Sequence, residues 1–252
     1  MADLDTQERI LRRTIPVIIN SYNQPTYLKN MVGKLRAEDF CNIYVLDQAS
    51  TNPELLQYLA LLQQSGDALP LRSPVNNGPH HFFLTRQYEM FGGAPLVYTD
   101  PDLDWDTLAP NFLTRHVEIA HRYRIFKVGS ALIIPAEHEA KPNLITKVDP
   151  SGPMSVAQFE ARYWTNPIEP GVYNAPIDTT MHLFVPAYYE PGKPLITGAR
   201  LGGQGFELTH MPWFLSDPMP PEEYAFYLAS STHTTWRSDE LHAPGNPLLD
   251  QP

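Results

Sequence analysis

The run Ile15 to Asn20 (IPVIIN) is continuous, apolar and β-branched, and it ends abruptly in Ser21-Tyr22-Asn23-Gln24-Pro25. An uninterrupted run of this kind belongs to a strand covered on both faces, which is the habit of parallel sheets. The next segment has helical spacing. Leu28, Met31, Val32 and Leu35 recur on one helical face, and Thr26 stands where an N-cap belongs. A second strand, Asn42 to Leu46, stops at Asp47. Ser50 or Thr51 can then cap a helix that has Pro53 in its first turn and Leu55, Leu56, Leu59 and Leu62 facing inward.

The alternation continues. Leu69 to Arg72 and Pro95 to Tyr98 read as short strands on either side of the Asn76-Asn77-Gly78-Pro79 turn, Phe112 to Tyr123 as a helix, and Phe126 to Ile134 as a strand. Strands and helices in alternation imply a parallel sheet with right-handed crossovers, and such sheets bind ligands beyond the carboxyl ends of their strands. Segments 20–25, 47–51 and 99–104 all fall at those ends. After about residue 136 the periodicity weakens and prolines, glycines and aromatics become frequent, as in long loops packed over a sheet edge. The division expected is an N-terminal extension (1–13), one domain (14–238) with halves at 14–135 and 136–238, and a patternless flexible tail (239–252).

Composition narrows the function. A chain of 252 residues with 42% apolar content can bury a substantial core. One cysteine, Cys41, excludes an internal disulfide framework, so a reducing compartment is expected. The polar start, Met1 to Arg13, lacks the basic-then-apolar order of a secretory signal, and no apolar run approaches the roughly 20 residues of a membrane span. A cytoplasmic location is therefore expected. A net charge of -10 with scattered basic residues argues against a nucleic-acid partner. An anionic nucleotide is compatible with that charge when a cation mediates the contact.

The sharpest local feature is Asp100-Pro101-Asp102 directly after an apolar strand. Residues two apart on an extended segment point to the same side, so both carboxylates can face one divalent cation or one ribose-phosphate group. The competing reading, with Asp104 and Asp106 next in the chain, is a solvated acidic loop.

The order strand-SYNQP, strand-DQAST, NNGP, YTDPDLDW resembles the nucleotide-binding half of glycosyltransferases of the A-type fold, particularly the family 2-like inverting enzymes. The likeness is close over residues 14 to 135 and looser beyond. It implies a Rossmann-like α/β/α sandwich with a mostly parallel central sheet, a nucleotide-diphosphate sugar donor, and a divalent metal, Mn2+ or Mg2+. The implied acceptor is a saccharide or glycolipid in glycan or polysaccharide biosynthesis, with peripheral membrane association on the glycolipid reading. By the same resemblance Ser21, Tyr22 and Asp47 hold base and ribose. Asp100 binds ribose, Asp102 is the metal ligand, His210 is a further metal ligand, and Arg86 lies near the diphosphate.

The family's acceptor-side base matches Asp178 in Ala175-Pro176-Ile177-Asp178-Thr179-Thr180, with Ile177 in place of the usual first acid. Asp followed by two threonines can equally cap a helix. His233 and His242 are weaker metal candidates. Tyr163, Trp164, Trp213 and Trp236 can stack on sugars or fill a core. Gly202-Gly203-Gln204-Gly205 reads as a flexible loop that could close over a donor. Two other functions fit less well: a nucleotidyltransferase, which should carry a glycine-rich signature after the first strand, and a degenerate sugar-nucleotide-binding module.

Overall fold

The computed structural model describes residues 5–141, 145–149, 152–203 and 205–231. The chain runs α1 (Thr6–Thr14), β1 (Val17–Ser21), α2 (Pro25–Ala37), β2 (Ile43–Asp47), α3 (Pro53–Ser65), β3 (Leu69–Arg72), α4 (His81–Leu84), β4 (Leu96–Thr99), β5 (Leu103–Asp104), α5 (Phe112–Tyr123) and β6 (Lys127–Leu132). It continues with β7 (Ile145–Asp149), β8 (Gly152–Ser155), α6 (Val156–Ala161), β9 (Pro167–Glu169), β10 (Val172–Asn174), β11 (His182–Phe184), β12 (Ala199–Leu201), β13 (Glu207–His210) and α7 (Pro221–Ser230).

The central sheet has the order β3-β2-β1-β4-β11-β6-β12-β10-β9. Strands β3, β2, β1, β4, β6 and β12 share one direction, and β11 runs against both of its neighbours. Both faces are covered, as the β-branched run of β1 requires. Val17 and Ile19 enter one cluster with Leu28, Met31 and Leu59 of α2 and α3. Ile18 enters the other with Phe82 and Phe83 of α4, Tyr98 and Phe184.

The strands and helices expected before residue 135 are all present, with ends shifted by a residue or two. The expected caps are not. Asn52 caps α3, its side chain accepting from Leu55 N, and α2 starts at Pro25 without a side-chain cap. Thr26, Ser50 and Thr51 make longer-range bonds instead. Thr26 donates its N–H and hydroxyl to Glu223, the Ser50 hydroxyl accepts from Asn23 N, and Thr51 N donates to the Asn23 side chain. Where residues 1–13 are described, they form most of α1, which is fastened to the rest of the chain. Glu8, fully buried, accepts from the Thr114 N–H and hydroxyl, while Arg12 reaches Glu8, Glu38 and the Pro110 carbonyl.

The second half is no set of loops over a sheet edge. It supplies β11, which separates β4 from β6 in the middle of the sheet, and β12 on the far side of β6. Close approach at this seam needs Gly129: a Cβ there would lie 2.6 Å from the Met181 carbonyl oxygen and 2.9 Å from the Cβ of His182. The expected tail, together with His233, Trp236, His242 and Gln204, falls outside the described residues.

Candidate active site

The carboxyl ends of β2, β1 and β4 meet at a cleft of about 360 Å³. A side-chain relay joins the three ends: Gln48 Nε2 donates to Asn20 Oδ1 and Asn20 Nδ2 to Asp100 Oδ1, each at 3.3 Å. Burial, and next the charge of Asp102, holds the Asp100 carboxyl well above the usual carboxylate range.

Asp102 owes its partner to two short strands. β13 runs beside the end of β6 and then pairs antiparallel with β5, with His210 opposite Leu103. That register places His210 Nε2 3.2 Å from Asp102 Oδ2, and Met211 N bonds the Asp102 carbonyl at 3.0 Å. Trp213 packs edge-on against the His210 ring at 4.5 Å. Asp102 Oδ1 and His210 Nδ1 are both buried without a hydrogen-bond partner. Buried polar atoms are rarely left unsatisfied in a native fold, and these two occur on residue types that ligate divalent metals. The donor set fits a hard or borderline cation such as Mg2+ or Mn2+, which needs few protein ligands when phosphate oxygens and water complete its shell. Among the described residues no group of three or more His, Cys, Asp or Glu is arranged to hold a metal ion.

Across the cleft stands Asp178, delivered by the alternation of 175–178. Ala175 and Ile177 point into the core, Pro176 and Asp178 outward. Ile177 is a buried plug whose N–H bonds the Ile196 carbonyl at 2.7 Å. No helix begins at Asp178, since the chain bends into β11, so the cap reading does not apply. Its side chain is 57% open, and His80 Nε2 lies 3.0 Å from Oδ1. Partial desolvation at the cleft wall raises the Asp178 carboxyl, but the His80 ring at 3.0 Å, with Lys127 and Arg200, outweighs that and holds it below the usual range.

Of the residues singled out from sequence, Tyr22, Asp100, Asp102, Asp178 and His210 line this cleft, with Tyr163 and Trp213. Ser21 and Asp47 are fully buried just beneath it. The Asp47 carboxylate is engaged internally by the Ser50 N–H and by Arg72. Arg86 is outside the lining, on an exposed turn, paired with Glu89. Trp164 packs over Gly202 rather than in the cleft. Sequence reasoning passed over Asn20, Gln48, His80, Glu160 and Arg200. Arg200 is buried, held by Glu160 at 2.9 Å and by the Pro176 carbonyl at 2.7 Å, and lies over the Tyr163 ring at 4.3 Å.

A mostly parallel, doubly covered sheet with two reversed inner strands, β11 and β10, is the fold of the A-type glycosyltransferases. The solved mannosyltransferase PcManGT from Pyrobaculum calidifontis, in complex with GDP-Man and Mn2+, is similar over 92% of this chain and 64% of its own, with TM-score 0.52 and 11% identity. GalNAc-T7 with UDP, GalNAc and Mn2+ is similar over 84% of this chain and 45% of its own, with TM-score 0.49 and 16% identity. The chain thus spans less than two thirds of the length of these solved proteins. No protein-family model matches it, and no curated protein matches it by sequence.

Proposed function

We propose that this chain is a glycosyltransferase that moves a sugar from a nucleotide-diphosphate donor to a hydroxyl of a saccharide or glycolipid acceptor, with inversion, and that it depends on Mn2+ or Mg2+. The observation that carries this is the Asp102–His210 pair with its two unsatisfied buried atoms, facing Asp178 across one cleft.

Tyr22, Asn20 and Asp100 form the donor side at the strand ends, where nucleotides bind in sheets of this kind. Asp102 and His210 would hold the cation, which when bound neutralises charge developing on the departing diphosphate. Asp178 supplies the basic group on the acceptor side. A carboxylate suffices because the hydroxyl proton becomes acidic only as the new bond forms. Ser21 and Asp47 support the donor loop from below, Asp47 by fixing the Ser50 and Arg72 turns.

The test is a thermal-shift and turnover screen of GDP-mannose and UDP-hexoses with Mn2+, Mg2+ or chelator. Metal-dependent binding followed by nucleoside diphosphate release supports transfer. Asp178→Asn should bind donor as the parent does and lose at least about 100-fold in turnover, the span a positioned acid or base contributes. Binding without turnover in the parent protein would favour a sugar-nucleotide-binding module, and no binding at all would sink the proposal.

A further inference from the structure

The turn before α4 aims a histidine into the cleft. Asn76 Oδ1 accepts from Gly78 N, Gly78 takes the left-handed conformation (φ 81°), and the buried Tyr98 hydroxyl donates to the Pro79 carbonyl at 2.7 Å, tying the turn to β4. His80 comes immediately after, lines the cleft, and is 37% open. Nε2 faces Asp178 Oδ1 at 3.0 Å. Nδ1 makes no hydrogen bond to any described residue. Asp178 is fixed from its own side by Ile177 in the core and by the buried Lys127 ammonium, which reaches the 177 and 178 carbonyls at 3.4 Å.

Two rigidly placed elements thus hold an imidazole against a carboxylate, with one ring nitrogen left over. This is the geometry in which a carboxylate fixes the tautomer of a histidine and the far nitrogen receives a proton. We propose that His80 and Asp178 form a two-residue base, in which His80 Nδ1 takes the acceptor's proton and Asp178 orients the ring through its Nε2–H. The inference rests on the glycosyl-transfer reading and divides the basic role within it.

The step balances. The acceptor oxygen bonds the anomeric carbon as the bond from that carbon to the diphosphate oxygen breaks, and the electron pair leaves on the nucleoside diphosphate. The hydroxyl proton goes to His80 Nδ1, leaving an imidazolium beside the Asp178 carboxylate, and then to solvent. With the imidazole set between the acceptor and Asp178, the ring takes the proton and the carboxylate balances the charge that forms on it. The charged and titratable groups around the pair are Lys127 on β6, His182 on β11, Arg200 on β12, Tyr98 on β4 and Asp100 after β4.

His80→Gln tests it, because the Gln amide can still donate to Asp178 but cannot accept the proton. Nucleoside diphosphate release from GDP-mannose and UDP-hexoses with Mn2+ is measured against pH in parent and variant. The expected result is a fall of about 100-fold or more in kcat with donor KM unchanged. Equal rates and the same pH profile in the variant would overturn the dyad alone; no release by the parent from any donor would overturn the transfer reading itself. A substrate-free measurement stands beside these: 15N NMR should find neutral His80 as the Nε2–H tautomer in the parent, with the preference lost in Asp178→Asn. A dominant Nδ1–H tautomer in the parent would overturn the proposal whatever the rates.

Discussion

Replacing Asp102 by Asn removes one of two carboxylates that stand two residues apart while keeping the side chain's size. The Asp100 carboxyl is held above the usual carboxylate range by burial and then by the charge of Asp102, so the ligand-free site is under electrostatic strain that the substitution relieves. For an acid whose folded-state value is raised, the stabilisation is complete below the ordinary carboxylate range and is lost as pH climbs through the raised value. Parent protein without ligand should therefore lose stability on going from acid to neutral pH, and Asp102→Asn should lose less. Ligand binding works in the opposite sense. A nucleotide with Mn2+ at a hundred times its Kd stabilises the native state by about 2.7 kcal/mol. At roughly 2–4 °C per kcal/mol for a chain of this size, the parent's Tm rises by about 5–11 °C. Differential scanning fluorimetry at neutral pH, with GDP or UDP and with Mn2+ or chelator, reads both effects. The variant should melt within about 2 °C of the ligand-free parent, or above it, and show under about 1 °C of metal-dependent shift. A full shift in the variant would refute the assignment of Asp102, and a ligand-free Tm more than about 5 °C lower would show that the pair is structural.

Gly129→Ala should cost about 1–3 kcal/mol, the usual penalty for overpacking, because the new Cβ meets backbone rather than a flexible side chain. An unchanged urea midpoint would show that the seam between β6 and β11 can open without cost. Burial pushes Lys127 down from 10.5 to about 8, and a depressed basic group contributes stability that is present above its ordinary value and lost as pH falls through the lowered one. The parent should therefore gain up to about 3 kcal/mol between about pH 8 and 10.5, and Lys127→Met should flatten that rise. Urea unfolding across this range with no rise in the parent would refute the depressed value.

The first half was legible because its elements are long enough to display a period. The run at 15–20 is apolar on both strand faces, and α2 shows its buried stripe at residues 28, 31, 32 and 35. The Asp-x-Asp was visible because it comes directly after an apolar strand. The second half hid its role because β11 and β12 are three residues each, too short for a period, and β12 carries an arginine that only the folded Glu160 explains. Thr26, Ser50 and Thr51 were misread since a hydroxyl near a helix start bonds equally well to a distant partner, and here Glu223 and Asn23 are within reach. His80 adjoined a turn that drew attention for its glycine and proline alone. The usable signal was its place between two parallel strands, on the edge where Asp100 emerges.

The antiparallel strand lodged between β4 and β6 makes assembly of the sheet obligatorily late. β4 and β6 lie about 30 residues apart in sequence, yet neither pairs with the other, and both wait for His182–Phe184 to arrive from some 50 residues further along. Closing such a loop is paid in chain entropy before the strand contacts form, which slows folding in proportion to how non-local the pairing is. A fragment ending near residue 135 would present two open strand edges flanking an empty slot, an invitation to pair with another copy. Residues 14–135 and 136–238 are therefore not separable modules: cutting between them should yield aggregation rather than a folded fragment.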